Sequence, residues 1–141
     1  MKKANWIWMP HAGHLIVGNE CQFHLNTYVG KYIVSTVGEY WPDRMIREIH
    51  AKIWNKEWYE ANKNLKGDTF DFEYHKAFGF LPIGAGPNST YETMVFGAKK
   101  SKNKCCPYVI SVGRVKDSKR YGNADDAMEG HMKLCEKWSK K

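Results

Sequence analysis

Two runs of β-favouring residues, Cys21–Tyr28 and Tyr32–Val37, are separated only by Val29-Gly30-Lys31, and a third run over residues 13–17 precedes them across Gly18-Asn19-Glu20. Strands so close in sequence can pair only antiparallel, because a parallel return needs a crossover of a dozen or more residues. The spacing predicts a three-stranded antiparallel meander. The rest of the chain must pack on its faces or extend its edge. Pro42 and Asp43 suit the first turn of a helix, and Met45, Ile46, Ile49 and Ile53 recur at helical spacing, a stripe expected to lie on the sheet. Helices are also predicted over about 57–65, 71–78 and 124–138, the last capped by Asn123, with Asp125 and Asp126 in its first turn and Lys137 in its last. Further strands are expected at 80–83, 91–96 and 108–112. The predicted fold class is α+β: an antiparallel sheet drawn from residues 13–37 and 80–112, covered by helices at about 43–54 and 124–138.

No internal repeat and no Pro/Ser/Gly-rich linker divides the 141 residues, so residues 1–141 read as a single domain. With 43% hydrophobic and 14% aromatic residues, the composition excludes intrinsic disorder. Apolar runs of three or four residues, such as Leu15-Ile16-Val17, are too short to span a bilayer, and no signal-peptide core is evident, so the chain is expected to be soluble and cytoplasmic, without a membrane partner. Four cysteines at 21, 105, 106 and 135 form no disulfide framework, which leaves reduced thiols or metal ligands.

Two clusters carry candidate chemistry. His11, His14, Cys21 and His24 have the spacing of a zinc set, yet strand alternation separates them. If residues 18–20 form the hairpin loop, His14 faces His24, while Cys21 turns to the apolar face. A second loop centred on Gly30 places Thr36 beside His24, with Glu39 just beyond. His14, His24, Thr36 and Glu39 are therefore the candidate catalytic residues, an acid/base or metal pair with two groups that orient substrate. In the second cluster, His131 and Cys135 lie four apart on one helix face, and Cys105-Cys106 precede a strand at Pro107. Imidazole and thiolates in this pattern suit a structural zinc held by Cys105, Cys106, His131 and Cys135. The competing reading places His131 and Cys135 in a packing stripe with Met128 and Trp138 and leaves Cys105 and Cys106 as small residues near a loop.

The formal charge of +7 is concentrated in the C-terminal third. Lys99, Lys100, Lys102 and Lys104 crowd the segment before Cys105, and Arg114 and Arg120 follow the next strand. These six are the candidate ligand-binding residues for phosphate groups of a nucleotide or nucleic acid. Residues 83–90, Ile-Gly-Ala-Gly-Pro-Asn-Ser-Thr, match neither a P-loop nor a dinucleotide fingerprint, because a strand and not a helix follows; they read as a turn. Trp6 and Trp8 offer aromatic surface for a protein partner.

Three blocks, residues 14–43 (HLIVGNECQFHLNTYVGKYIVSTVGEYWPD), 91–96 (YETMVF) and 130–138 (GHMKLCEKW), resemble a group of small uncharacterised proteins of bacteriophage and prophage genomes. The resemblance implies a viral, phage-type context in which small soluble proteins act by binding host or defence components. A strand-borne His with Ser35-Thr36 and Tyr91-Glu92 also resembles the three-strand catalytic set of ADP-ribosyltransferases. The leading expectation is a small phage-type binding protein with a structural zinc, engaging nucleic acid or a nucleotide and interfering with a host or defence component. The alternatives are a His- or metal-dependent enzyme acting on a phosphate or glycosidic bond of a nucleotide, and a protein-only inhibitor docking through exposed aromatics.

Overall fold

The computed structural model describes residues 6–14, 19–111 and 113–141. The chain runs β1 (Trp6–Met9), β2 (Asn19–Val29), β3 (Tyr32–Pro42), α1 (Arg44–Trp54), α2 (Lys56–Asn62), α3 (Asp68–Phe78), β4 (Tyr91–Lys100), β5 (Tyr108–Ile110), β6 (Asp117–Tyr121) and α4 (Ala124–Ser139). All pairings are antiparallel. The order is β1-β2-β3-β4, and the far side of β4 is shared by β5, against Ala98–Lys100, and β6, against Tyr91–Val95. This is the expected α+β fold. Among the described residues no helix is long and apolar enough to cross a membrane.

The long β2–β3 hairpin sets the geometry. Gly30 takes φ +69°, where L side chains are strained, and Lys31 N donates to Val29 O at 2.8 Å, so the turn is tight. Val29 faces Tyr32, and the register continues through Asn26↔Ser35 and His24↔Val37. Alternation then gives each face its own residues. One face carries Thr27, Val29, Val34, Thr36, Thr93 and Val95, and α4 lies across it with Ala127, Leu134 and Cys135 buried. Asn123 caps α4, its side chain accepting from Asp126 N at 2.8 Å. The opposite face carries Asn26, Tyr28, Ile33, Ser35 and Glu92. It is covered by residues 10–14 and by the apolar cluster Met9, Tyr28, Ile33 and Cys106.

Helices α1–α3 build a second core around Ala51, Phe70 and Tyr74, joined to the sheet end through Trp41. Here an expectation is corrected. The Met45/Ile49/Ile53 stripe of α1 does not lie on the sheet but faces outward, with relative exposures of 69, 52 and 69%. The face turned inward carries Arg47 and Ala51. Arg47 pairs with Asp71, donates to the Pro42 carbonyl and lies over the Trp41 ring, while the Arg44 guanidinium stacks on Phe70. Cation–aromatic and charge-assisted contacts thus replace aliphatic packing on the buried side.

Other elements also differ from expectation. The run predicted over 13–17 falls mainly on residues outside those described, and Gly13 and His14 lie in a bend, not a strand. Residues 80–83 contribute only an isolated bridge, Leu81 to Tyr40. β1 and β6 were not anticipated. β6 reads Asp-Ser-Lys-Arg-Tyr, a charged pattern that suits a sheet edge and hides a strand from hydrophobic alternation.

Candidate functional site

After β1, residues 10–14 fold across the sheet and are held there by three side chains of β2 and β3. Asn26 Nδ2 donates to His11 O at 2.8 Å, His24 Nε2 donates to Pro10 O at 2.7 Å, and Ser35 Oγ shares a 2.7 Å hydrogen bond with His14 Nδ1. The approach is close enough to require glycine at 13: a Cβ there would meet Ser35 Oγ at 2.6 Å and Asn26 Oδ1 at 2.7 Å. This docking carries His11 to the start of β5.

His11, Cys105 and Cys106 meet there, with their ligand atoms all within 4.8 Å of one another. They line a cavity of about 260 Å³ together with Asn26, Ile33 and Tyr108. Burial pushes the Cys106 thiol up, a hydrogen bond from the His11 backbone opposes this, and the adjacent Cys105 adds to the rise. Without a cation the thiol stays protonated. A bound metal inverts that balance, because coordination deprotonates a thiol outright. One imidazole and two thiolates fit zinc or another thiophilic ion, with a fourth position free for ligand. Asn26 Oδ1 is buried without a hydrogen-bond partner beneath Gly13.

The four-ligand set Cys105, Cys106, His131 and Cys135 does not converge. Cys106 packs with Ile33 on one face, and Cys135 packs with Val34 on the other. Successive strand residues point to opposite faces, so the sheet itself separates the pairs. His131 is fully buried between Thr36 Oγ1, 2.7 Å from its Nδ1, and Thr27 Oγ1, 2.8 Å from its Nε2, and Thr36 further bonds Thr93 Oγ1 at 2.6 Å. A neutral imidazole satisfies both hydroxyls, donating from one nitrogen and accepting at the other. Burial drives its pKa down to about 4 and drives the Cys135 thiol up to about 12, the latter opposed by a hydrogen bond with Thr27. Both are core groups.

The catalytic set His14, His24, Thr36 and Glu39 is divided as well. The tight turn at Gly30 pairs Leu25 with Thr36, one residue off the expected register, and so moves Thr36 to the α4 face. His24 is exposed and holds the Pro10 carbonyl. Glu39, at φ +55°, accepts from the Tyr91 hydroxyl at 2.8 Å; burial and this carboxylate push the Tyr91 pKa up to about 12. His14 instead finds Ser35 and Glu92. Its Nε2 stands 3.7 Å from Glu92 Oε1, and Arg120 Nε donates to Glu92 Oε2 at 3.0 Å. His14 and then Arg120 hold the Glu92 carboxyl below the usual range, against its burial.

Of the six candidate ligand-binding residues, Lys99, Lys100, Lys102 and Lys104 are exposed on the end of β4 and the connection leading to Cys105, beside the cavity in sequence. Arg114 is exposed in the β5–β6 connection, whereas Arg120 is engaged by Glu92. Trp6 packs into the α4-side core, and Trp8 is 54% exposed with its ring centroid 5.9 Å from that of His131. His11 was legible as a member of the His11/His14/Cys21/His24 spacing, with the wrong partners, and Glu92 only in the Tyr91-Glu92 resemblance. No local spacing links residue 11 to residue 105. No family model, curated protein or solved structure matches the chain.

Proposed function

We propose that this protein binds one zinc or similar thiophilic ion through His11, Cys105 and Cys106, and uses that ion together with Lys99, Lys100, Lys102 and Lys104 to engage an anionic ligand, a nucleotide or nucleic acid. The observation that carries the reading is the convergence of three soft donor groups within 4.8 Å in the wall of a cavity. Three protein ligands leave an open position, the arrangement of ligand-binding and not purely structural zinc. The lysines that precede Cys105 in the chain supply counter-charge to phosphate. In the phage-type setting that the sequence resemblance implies, such binding serves to interfere with a host component.

Elemental analysis tests the metal arm: about one zinc per chain in the purified protein, lost in Cys105→Ser and Cys106→Ser and retained in Cys135→Ser. Retention in both β5-side variants overturns it. Lys99→Glu with Lys100→Glu and Lys102→Glu is expected to weaken nucleic-acid retention and flatten its salt dependence. Unchanged retention rejects the ligand arm.

A second reading is an enzyme acting on a phosphate or glycosidic bond of a nucleotide. It rests on His14 lying between the Ser35 hydroxyl and the Arg120-held Glu92 on the same sheet face. Turnover of a nucleotide that disappears in Glu92→Gln, with circular dichroism showing the variant folded at the assay temperature, selects it over binding alone.

A further inference from the structure

The outward stripe of α1 leaves an amphipathic helix with its apolar side unpartnered: Met45, Ile49 and Ile53 are 69, 52 and 69% exposed, and Ile46 beside them is half-buried. A short run of this kind is more than the scattered single apolar residues that ordinary surfaces show. Nothing in the α1–α3 core needs these side chains, because that core is complete around Ala51, Phe70 and Tyr74 on the helix's other side. The identity of the occupant is contained in the residue order. Reversed about Ile49, the surface of α1 is complementary to itself.

We propose that α1 pairs antiparallel with α1 of a second copy of this chain, on a two-fold axis passing beside Ile49. Under that operator each flank of the helix meets the same flank of the other copy, the defining property of an isologous contact. Ile49 meets its own counterpart. On one flank Ile46 meets Ile53 of the second copy, since the two lie about 4.5 and 6 Å along the helix from Ile49 in opposite senses. On the other flank Glu48 and Lys52 are about 1.5 and 4.5 Å along the helix from Ile49, so Glu48 of one copy and Lys52 of the other fall about 3 Å apart axially, and the pair occurs twice. Arg44 Nε already anchors Glu48 Oε1 at 2.9 Å, leaving its second oxygen for Lys52. Apolar centre and opposite charges at the rim are what a paired helix face requires. One helix pair buries on the order of 800 Å² in total, short of the roughly 1,000 Å² of a stable interface, so the dimer is a weak one that forms and dissociates with concentration. The surface is separate from the cavity residues, so the inference stands or falls independently of the metal reading.

Sedimentation equilibrium of the full chain, from about 5 to about 500 µM, tests it. The expected result is a monomer–dimer equilibrium that Ile49→Glu weakens at least about 100-fold with unchanged circular dichroism and melting temperature. Glu48→Lys and Lys52→Glu each weaken it about 5- to 10-fold, and the double charge swap returns it to within about 3-fold of the original. A chain that remains monomeric across this range overturns the proposal and assigns the face to another partner. A dimer indifferent to Ile49→Glu, or a double swap no better than the single variants, overturns it equally.

Discussion

His131 illustrates how a residue that looks like a ligand becomes a core group. Its two ring nitrogens are taken by Thr27 and Thr36, and its folded pKa of about 4 lies below the ordinary value of 6.5. The unfolded chain therefore binds a proton that the native state refuses, and stability falls as pH drops from 6.5 toward 4. The full loss from this one group is about 3 kcal/mol. Denaturant titrations between pH 7 and pH 4 are expected to show it, and Thr36→Val, which strips a partner from both His131 and Thr93, is expected to cost about 1–3 kcal/mol at pH 7. Below that window Glu92 adds to the decline, since a carboxyl held below its usual range loses its stabilisation as it protonates. Gly13 acts by its size alone. Gly13→Ala forces a methyl against Ser35 and Asn26, and the expected outcome is a loss of about 1–3 kcal/mol together with weaker zinc retention, measured by chemical denaturation and chelator competition.

At the scale of elements, the β2–β3 turn decides which side chains share a face. A loop one residue longer would have placed Thr36 beside His24; the tight turn at Gly30 places Ser35 beneath His14 and sends Thr36 to α4. Gly30→Ala puts a Cβ at φ +69° with open space around it, so its cost is conformational, about 1 kcal/mol, and steric clash plays no part. Thermal melts of Gly30→Ala and Gly30→Asn check this, the Asn variant losing less because Asn tolerates that region. Helix α1 shows the opposite limit. Its hydrophobic period locates the helix correctly, from Arg44 to Trp54, yet points the wrong way, because aromatic α3 recruits the Arg44 and Arg47 side of the helix. Amphipathic periodicity reports that an apolar face will be covered, not by which surface.

For the whole molecule, the sheet works as a partition with two separate polar assemblies. The α4 side is a closed core of threonines and His131, whereas the other side carries the cavity, His11, Cys105, Cys106 and, farther along, His14 and Glu92. Metal removal belongs to this scale. If the proposed ion is bound at His11, Cys105 and Cys106 it would tie residues 10–14 to the β4–β5 connection, so chelation is expected to lower the melting temperature by several degrees and Cys105→Ser to abolish the chelator effect; differential scanning calorimetry with and without chelator checks both. The α+β class, α1, α4 with its Asn123 cap, and the antiparallel hairpin were all legible in the sequence, because caps, turn residues and periodicity act within a few positions of the chain. The partition of ligands was not. His11 meets Cys105 across 94 positions, and Cys105–Cys106 part from His131–Cys135 because a sheet lies between them, so the local pattern settled the hairpin and the helices but not the edge strands β1 and β6, while the register at Gly30 and the fold of residues 10–14 over the sheet decided which chemistry comes together.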